Sequence, residues 1–208
     1  FIMSHLACAE DINNLMNNKQ LNELKNCTKL LSIITKKEIK ASICNSSGIW
    51  LGKKYLLNIV RPGAAFLGIN PILNKNNPLK ETISLYAQIS QIREVFKNDT
   101  IGYGGTLTIK KENRIATISI GYSNGLSRLL SNIGDVYIKK KKLKILGRVS
   151  MDLTVIDISV FKDGEIKNGD IVEIFGPNRT LENFAKINKT IPYEILCTMT
   201  KTIPKLIT

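Results

Sequence analysis

Residues 98–122 read NDTIGYGGTLTIKKENRIATISIGY. Behind the glycines lie two runs, LTI at 107–109 and IATISI at 115–120, in which apolar and polar residues mostly alternate, and the turn-forming KEN at 111–113 separates them. A period of two is the mark of strands with one buried and one solvated face, so the stretch predicts antiparallel hairpins rather than helix. Tyr103 stands between Gly102 on one side and Gly104 and Gly105 on the other. Glycine clusters mark a tight turn or a place where another group must come close to the backbone. Two readings are therefore open: a hairpin corner with an incidental aromatic, or a tyrosine held out for chemistry.

The alternation continues on both sides, in SLYAQISQIREV (84–95), GDVYIKKKKLKILGRVSMDLTVIDIS (134–159) and GDIVEIFG (169–176). Turn signals KND, SNIGD and KDGEIKNGD fall between these runs. A short helix is expected at TLENFAKIN (180–188), opened by Thr180 as N-cap. Residues 81–208 thus read as a mainly antiparallel β domain. Residues 1–80 differ. Short apolar runs, FIMSHLACA (1–9), IKASICNSS (39–47), SSGIWLGKK (46–54) and LNIVRPGAAFLGINP (57–71), are interleaved with an amphipathic segment over 12–31. That pattern predicts three β/α units around a parallel sheet, too few strands to close a barrel. The polar linker NKNNPLK (74–80) separates the two regions.

The 208-residue chain carries a net charge of +13, mostly from lysine. Such an excess suits an anionic partner or a solvated surface. The lysine run 139–142 sits where a hairpin turn is expected and has no flanking aromatic cluster to stack bases, which argues against nucleic acid. Cys8, Cys27, Cys44 and Cys197 lack the paired spacing of a zinc or redox motif and read as thiols of a reducing cytoplasm. No apolar run is long enough to span a bilayer, and a chain that starts at Phe1 in a strand-like run suggests a piece of something longer.

Polar residues stand at the ends of the three early runs: His5, then Asn45 and Ser46, then Arg61 and Gly63 with Ala64. In β/α barrels active sites form at the C-terminal ends of strands, often with a phosphate site in the last loops. A lone histidine is as a rule structural, and Asn45–Ser47 also suits a helix cap.

Taken in order, MSHLACAE, NSSGIWLG, VRPGAAFLGINP, IGYGGTLT, IATISIGYSNG, GRVSMDLTVID and TIPYEILC closely resemble the alanine racemase family of pyridoxal 5'-phosphate enzymes. The resemblance runs nearly end to end and covers the C-terminal part of such an enzyme. It implies the last three units of a (β/α)8 barrel followed by a β domain. It further implies interconversion of L- and D-alanine for peptidoglycan, in a homodimer whose subunits share active sites. By the same resemblance Tyr103 is one of two catalytic bases and reaches the opposite subunit. His5 links it to Arg61, which faces the cofactor's pyridine nitrogen. Ser46 and the amides of Gly63 and Ala64, with Asn45 nearby, hold the phosphate. Tyr122 and Met151 line the substrate end, with Asp152 behind them.

Three departures stand out. The lysine that serves the family as the other base and covalent cofactor anchor has no counterpart here, which predicts that this chain alone is inactive. Lys201 occupies the place of a phosphate-binding tyrosine, and a lysine still pairs with phosphate as a point charge. Gly105 replaces the family's more usual alanine. Two other readings remain: a noncatalytic remnant or split-gene product acting as a binding module, and a related racemase for another amino acid.

Overall fold

The computed structural model describes residues 1–72, 75–199 and 203–207. The chain divides into two compact units, Phe1–Thr82 and Ile83–Thr208.

In the first unit strand β1 (Ile2–Met3) pairs in parallel with β2 (Ala41–Ser42), and helix α1 (Leu15–Thr35) connects them. The Asn14 side chain caps α1 by accepting from the Met16 N–H at 3.0 Å, so the helix starts three residues later than the amphipathic pattern begins. Asn17, Leu21 and Leu24, spaced four and three apart, are the helix face that enters the core with Leu6, Ile43, Cys44 and Tyr55. The third expected strand shrinks to a single parallel bridge between Ser42 and Ile59. Its neighbour Asn58 explains why. The Asn58 N–H still donates to the Ala41 carbonyl at 3.2 Å, but the Ala41 N–H goes to the Asn58 side-chain oxygen at 2.9 Å, so a side chain takes one backbone bond of the next rung. The run at 46–54 forms two 3-10 turns, Ser47–Leu51 and Lys53–Tyr55.

The second unit is built from β3 (Leu85–Val95), β4 (Thr100–Ile101), β5 (Leu107–Thr108), β6 (Asn113–Ile118), β7 (Asp135–Ile138), β8 (Lys141–Leu146), β9 (Thr154–Asp157) and β10 (Ile171–Phe175), followed by helices α2 (Leu181–Ile187) and α3 (Pro192–Met199). Six of the strands close an antiparallel barrel in the order β10, β3, β6, β9, β8, β7, which returns to β10 through Glu173 and Tyr137. Closure leaves none of the six with an unpaired edge. Strict alternation breaks in β3, where the register with β6 shifts between Ile89 and Gln91 and both Ser90 and Gln91 are exposed. As expected, Thr180 caps α2, accepting from Asn183 N–H at 3.0 Å.

Arg179 pins one end of the barrel. Its guanidinium is buried, pairs with Asp135 and donates to the Asp135 carbonyl at 2.7 Å. Burial pulls its pKa down and the Asp135 carboxylate opposes that pull. The neighbouring buried Glu173 accepts from the Asn178 backbone and side chain at 2.8 and 2.6 Å. Among the described residues no helix is long and apolar enough to cross a membrane.

Candidate functional site

Arg61 stands just past the bridge at Ile59, its backbone N–H on the Cys44 carbonyl at 3.0 Å. Its guanidinium is held from several sides: Nη1 donates to the Ser42 hydroxyl, Nη2 to the Ser4 carbonyl at 2.8 Å, and Nη2 lies 3.4 Å from His5 Nδ1. His5 and Arg61, far apart in sequence, thus meet in space. Two supports were not visible in the sequence. Ser42 is fully buried under the guanidinium, and Gln20 of α1 brackets the His5 loop by donating to the His5 carbonyl at 2.9 Å and accepting from Ala7 N–H at 3.0 Å. Alternating strand positions do not distinguish a serine under a cation from any other inward serine.

Ser46 is buried, and its hydroxyl oxygen accepts from the Gly63 N–H at 2.9 Å and the Ala65 N–H at 3.1 Å. The Gly63 amide, expected to face a phosphate, is therefore taken by Ser46. The Ser46 O–H and the Ala64 N–H remain as donors, and nothing lies within 4 Å of where a Gly63 Cβ would stand. Asn45 does what a cap does, its side-chain oxygen accepting from Gly48 N–H at 2.8 Å. Behind this loop burial raises the Cys44 pKa against the opposing Arg61 charge, and the thiol donates to the Tyr55 carbonyl at 3.0 Å. Lys201 lies outside the described residues.

In the second unit the glycine cluster does form a hairpin corner, and that corner projects the tyrosine. Strands β4 and β5 pair Thr100 with Thr108 and Ile101 with Leu107, and Tyr103 sits at the tip, 71% exposed. Gly102 and Gly104 both have φ of 73°, the left-handed region that side chains resist. Space matters as much. A Cβ on Gly102 would come 2.9 Å from the Arg148 backbone nitrogen, and one on Gly104 would come 3.2 Å from Arg148 Nη1. Ile101, Ile109, Val95 and Ile115 form the apolar floor beneath the hairpin.

Tyr122 and Met151 are brought side by side. The Tyr122 N–H donates to the Ser150 carbonyl at 3.0 Å and the Ser123 N–H to the Met151 carbonyl at 2.8 Å. The Ser123 hydroxyl reaches Asp152 at 2.6 Å. Gly121 permits the approach, since a Cβ there would stand 2.3 Å from the Met151 carbonyl oxygen. A groove of about 770 Å³ opens beside Tyr122, lined also by Ser123, Leu129, Lys189, Glu194 and Cys197. Met151 is not part of its lining.

Lys139, Lys141 and Lys142 of the lysine run have partners within the chain. Lys139 and Lys140 form the two-residue turn between β7 and β8, both with positive φ. Lys139 donates to the Glu165 carbonyl at 2.9 Å, Lys141 lies over the Phe161 ring, and Lys142 pairs with Asp135 at 2.9 Å. Among the described residues no cluster of His, Cys, Asp or Glu is arranged to hold a metal.

Comparison with known proteins matches residues 1–71 to the family described as "Alanine racemase, N-terminal domain" and residues 82–207 to "Alanine racemase, C-terminal domain". An alanine racemase of Rickettsia bellii is 42% identical over 200 residues, which is 96% of this chain and 48% of that protein. One from Brucella abortus is 40% identical over 209 residues, 94% of this chain and 52% of that one. A Bartonella henselae alanine racemase solved with covalently bound pyridoxal phosphate superimposes with a TM-score of 0.81 at 38% identity, over 95% of this chain and 54% of that one. The Bacillus anthracis enzyme solved with bound L-Ala-P gives 0.85 at 28% identity, over 95% and 52%. The chain thus spans about half the length of the relatives it matches.

Proposed function

The chain belongs to the alanine racemase family, and we propose that it supplies the Arg61 and Tyr103 portions of an enzyme that interconverts L- and D-alanine with pyridoxal 5'-phosphate. The observation that carries this reading is Arg61, immobilised by Ser4, Ser42 and His5 in the loops that also hold the Ser46 hydroxyl.

The residues present fit the cofactor. Ser46 O–H and the Ala64 N–H are donors suited to a phosphate, Gly63 leaves open space beside them, and Asn45 and Lys201 complete the proposed set. Arg61 suits a pyridine nitrogen, because guanidinium keeps its own proton and so leaves the ring unprotonated. When bound, the cofactor supplies the electron sink that makes an amino-acid Cα–H removable.

The chain's own residues then manage the proton. Tyr103 is the base on one face of the substrate. A tyrosine hydroxyl needs a hydrogen-bonded partner to act near neutral pH, and His5 is that partner. His5 Nδ1 faces Arg61, which fixes the ring and leaves Nε2 for the Tyr103 hydroxyl of a second subunit. Tyr122 and the Met151 backbone orient the substrate carboxylate. Homodimerisation with shared sites, and a cytoplasmic location consistent with four free cysteines, belong to the same proposal.

The test is racemisation of L-alanine by the 208-residue chain with pyridoxal phosphate, alone and as a chimera carrying the unmatched part of the Rickettsia bellii relative. Activity is expected only in the chimera and is expected to vanish with Tyr103→Phe. Turnover by the chain alone would show that the missing lysine is dispensable. A chimera whose turnover ignores Tyr103→Phe would remove the tyrosine from the mechanism.

A further inference from the structure

We infer that Asn132 is a positioning residue for Tyr103, tying the tyrosine hairpin to the segment that carries Met151; this rests on the reading of Tyr103 as a base. Asn132 adopts a left-handed backbone, φ 62°, a conformation asparagine tolerates better than most residues. In that geometry it makes three bonds to two different segments. Its Nδ2 donates to the Thr106 hydroxyl at 3.2 Å, its Oδ1 accepts from the Gly147 N–H at 2.7 Å, and its own N–H donates to the Gly147 carbonyl at 3.1 Å. The preceding Ser131 hydroxyl extends the contact by accepting from Val149 N–H at 3.1 Å.

Segment 147–151 supports both the Tyr103 hairpin and the Tyr122 turn. A Cβ on Gly147 would come 2.7 Å from the Ile101 carbonyl oxygen, and Arg148 lies against Gly102 and Gly104, so one end supports the hairpin. At the other end Ser150 and Met151 accept the Tyr122 and Ser123 N–H groups. Tyr103 itself has little to hold it, being largely exposed and flanked by glycines. Its placement depends on how the hairpin is anchored, and Asn132 bonds one residue beyond Gly105. Proton transfer needs heavy atoms within hydrogen-bond reach, and an ångström of drift is costly.

The test uses Asn132→Gly, which keeps the left-handed backbone and deletes both side-chain bonds, and Thr106→Val, which deletes the hairpin acceptor alone. In the chimera, Asn132→Gly is expected to lower kcat on the order of tenfold, with KM for alanine changing less than about twofold. In the 208-residue chain carrying 3-fluorotyrosine at position 103, its fluorine NMR line is expected to shift or broaden, and Thr106→Val should act the same way more weakly. Unchanged kcat and an unchanged fluorine line in both variants, with Tyr103→Phe still inactive, would remove the clamp and leave the racemase reading intact. Turnover that survives Tyr103→Phe would sink the parent reading, and the clamp then stands or falls on the fluorine line. Should Asn132→Gly fail to fold, Thr106→Val decides by the same two readouts.

Discussion

The two units handle backbone hydrogen bonding in opposite ways. Ile83–Thr208 closes six strands on themselves, so every barrel strand has two neighbours. Among its described residues Phe1–Thr82 offers two strands of two residues each and one bridge, and it leaves Phe1, Met3, Leu30, Ile33 and Ile34 largely exposed. Parallel strands are as a rule covered on both faces and paired on both edges. The contrast teaches where precision resides. The second unit carries its own order, whereas in the first the order is concentrated where α1, the His5 loop and the Arg61 loop bind one another.

The largest effect is expected from the barrel. Arg179→Ala removes the buried partner of Asp135 and leaves only the exposed Lys142 to pair with it. Breaking a buried pair costs about 3–5 kcal/mol, and the remaining lysine holds the loss near the lower end of that range. Urea unfolding followed by barrel signals such as Tyr137 environment should show it; a change under about 1 kcal/mol would mean the pin is ornamental and closure alone holds the unit.

A second experiment asks whether the units open separately. Cys44 is buried and its pKa is raised, whereas Cys27 and Cys197 are exposed. Because the thiolate is the reactive form, Cys44 should resist iodoacetamide until the first unit opens. Labelling of Cys44 is expected at urea concentrations where the barrel is still folded. Coincident transitions would break the contrast.

Within the second unit, Gly121→Ala forces a methyl against the Met151 carbonyl, and overpacking of this kind costs about 1–3 kcal/mol. Denaturant midpoints measure it, and a neutral result would show that the Tyr122 turn yields freely. The smallest effect concerns Lys142, whose pKa is raised first by its hydrogen bond to Asp135 and then by the same carboxylate's charge. A raised folded-state pKa stabilises fully below the ordinary lysine value and is lost as pH rises through the folded value. Barrel stability should therefore decline above about pH 10.4, and Lys142→Met should flatten that decline in thermal melts. The lysine is well exposed, so the slope should be shallow.

Much of the second unit was legible because hairpins are local. The alternation at 134–146, the Thr180 cap and the glycine corner around Tyr103 each depend on residues a few positions apart. In β3 the legibility ends at Ser90, because a bulge answers to the partner strand and leaves no periodic trace. In the first unit the helix was visible and the third strand was overestimated, since the Asn58 side chain taking the Ala41 N–H is an event across seventeen residues.

For the candidate site, the ends of the early runs singled out His5, Ser46 and Arg61, and the family resemblance added Tyr103, before any geometry, because a motif stores chemistry locally. What holds them was decided only by tertiary structure. Ser42 under Arg61, Gln20 around His5, Ser46 claiming the Gly63 amide, and Asn132 between Thr106 and Gly147 all join residues distant in sequence. Each of those bonds exists only after folding has set its two ends within about 3 Å of one another, a distance that no spacing along the chain encodes.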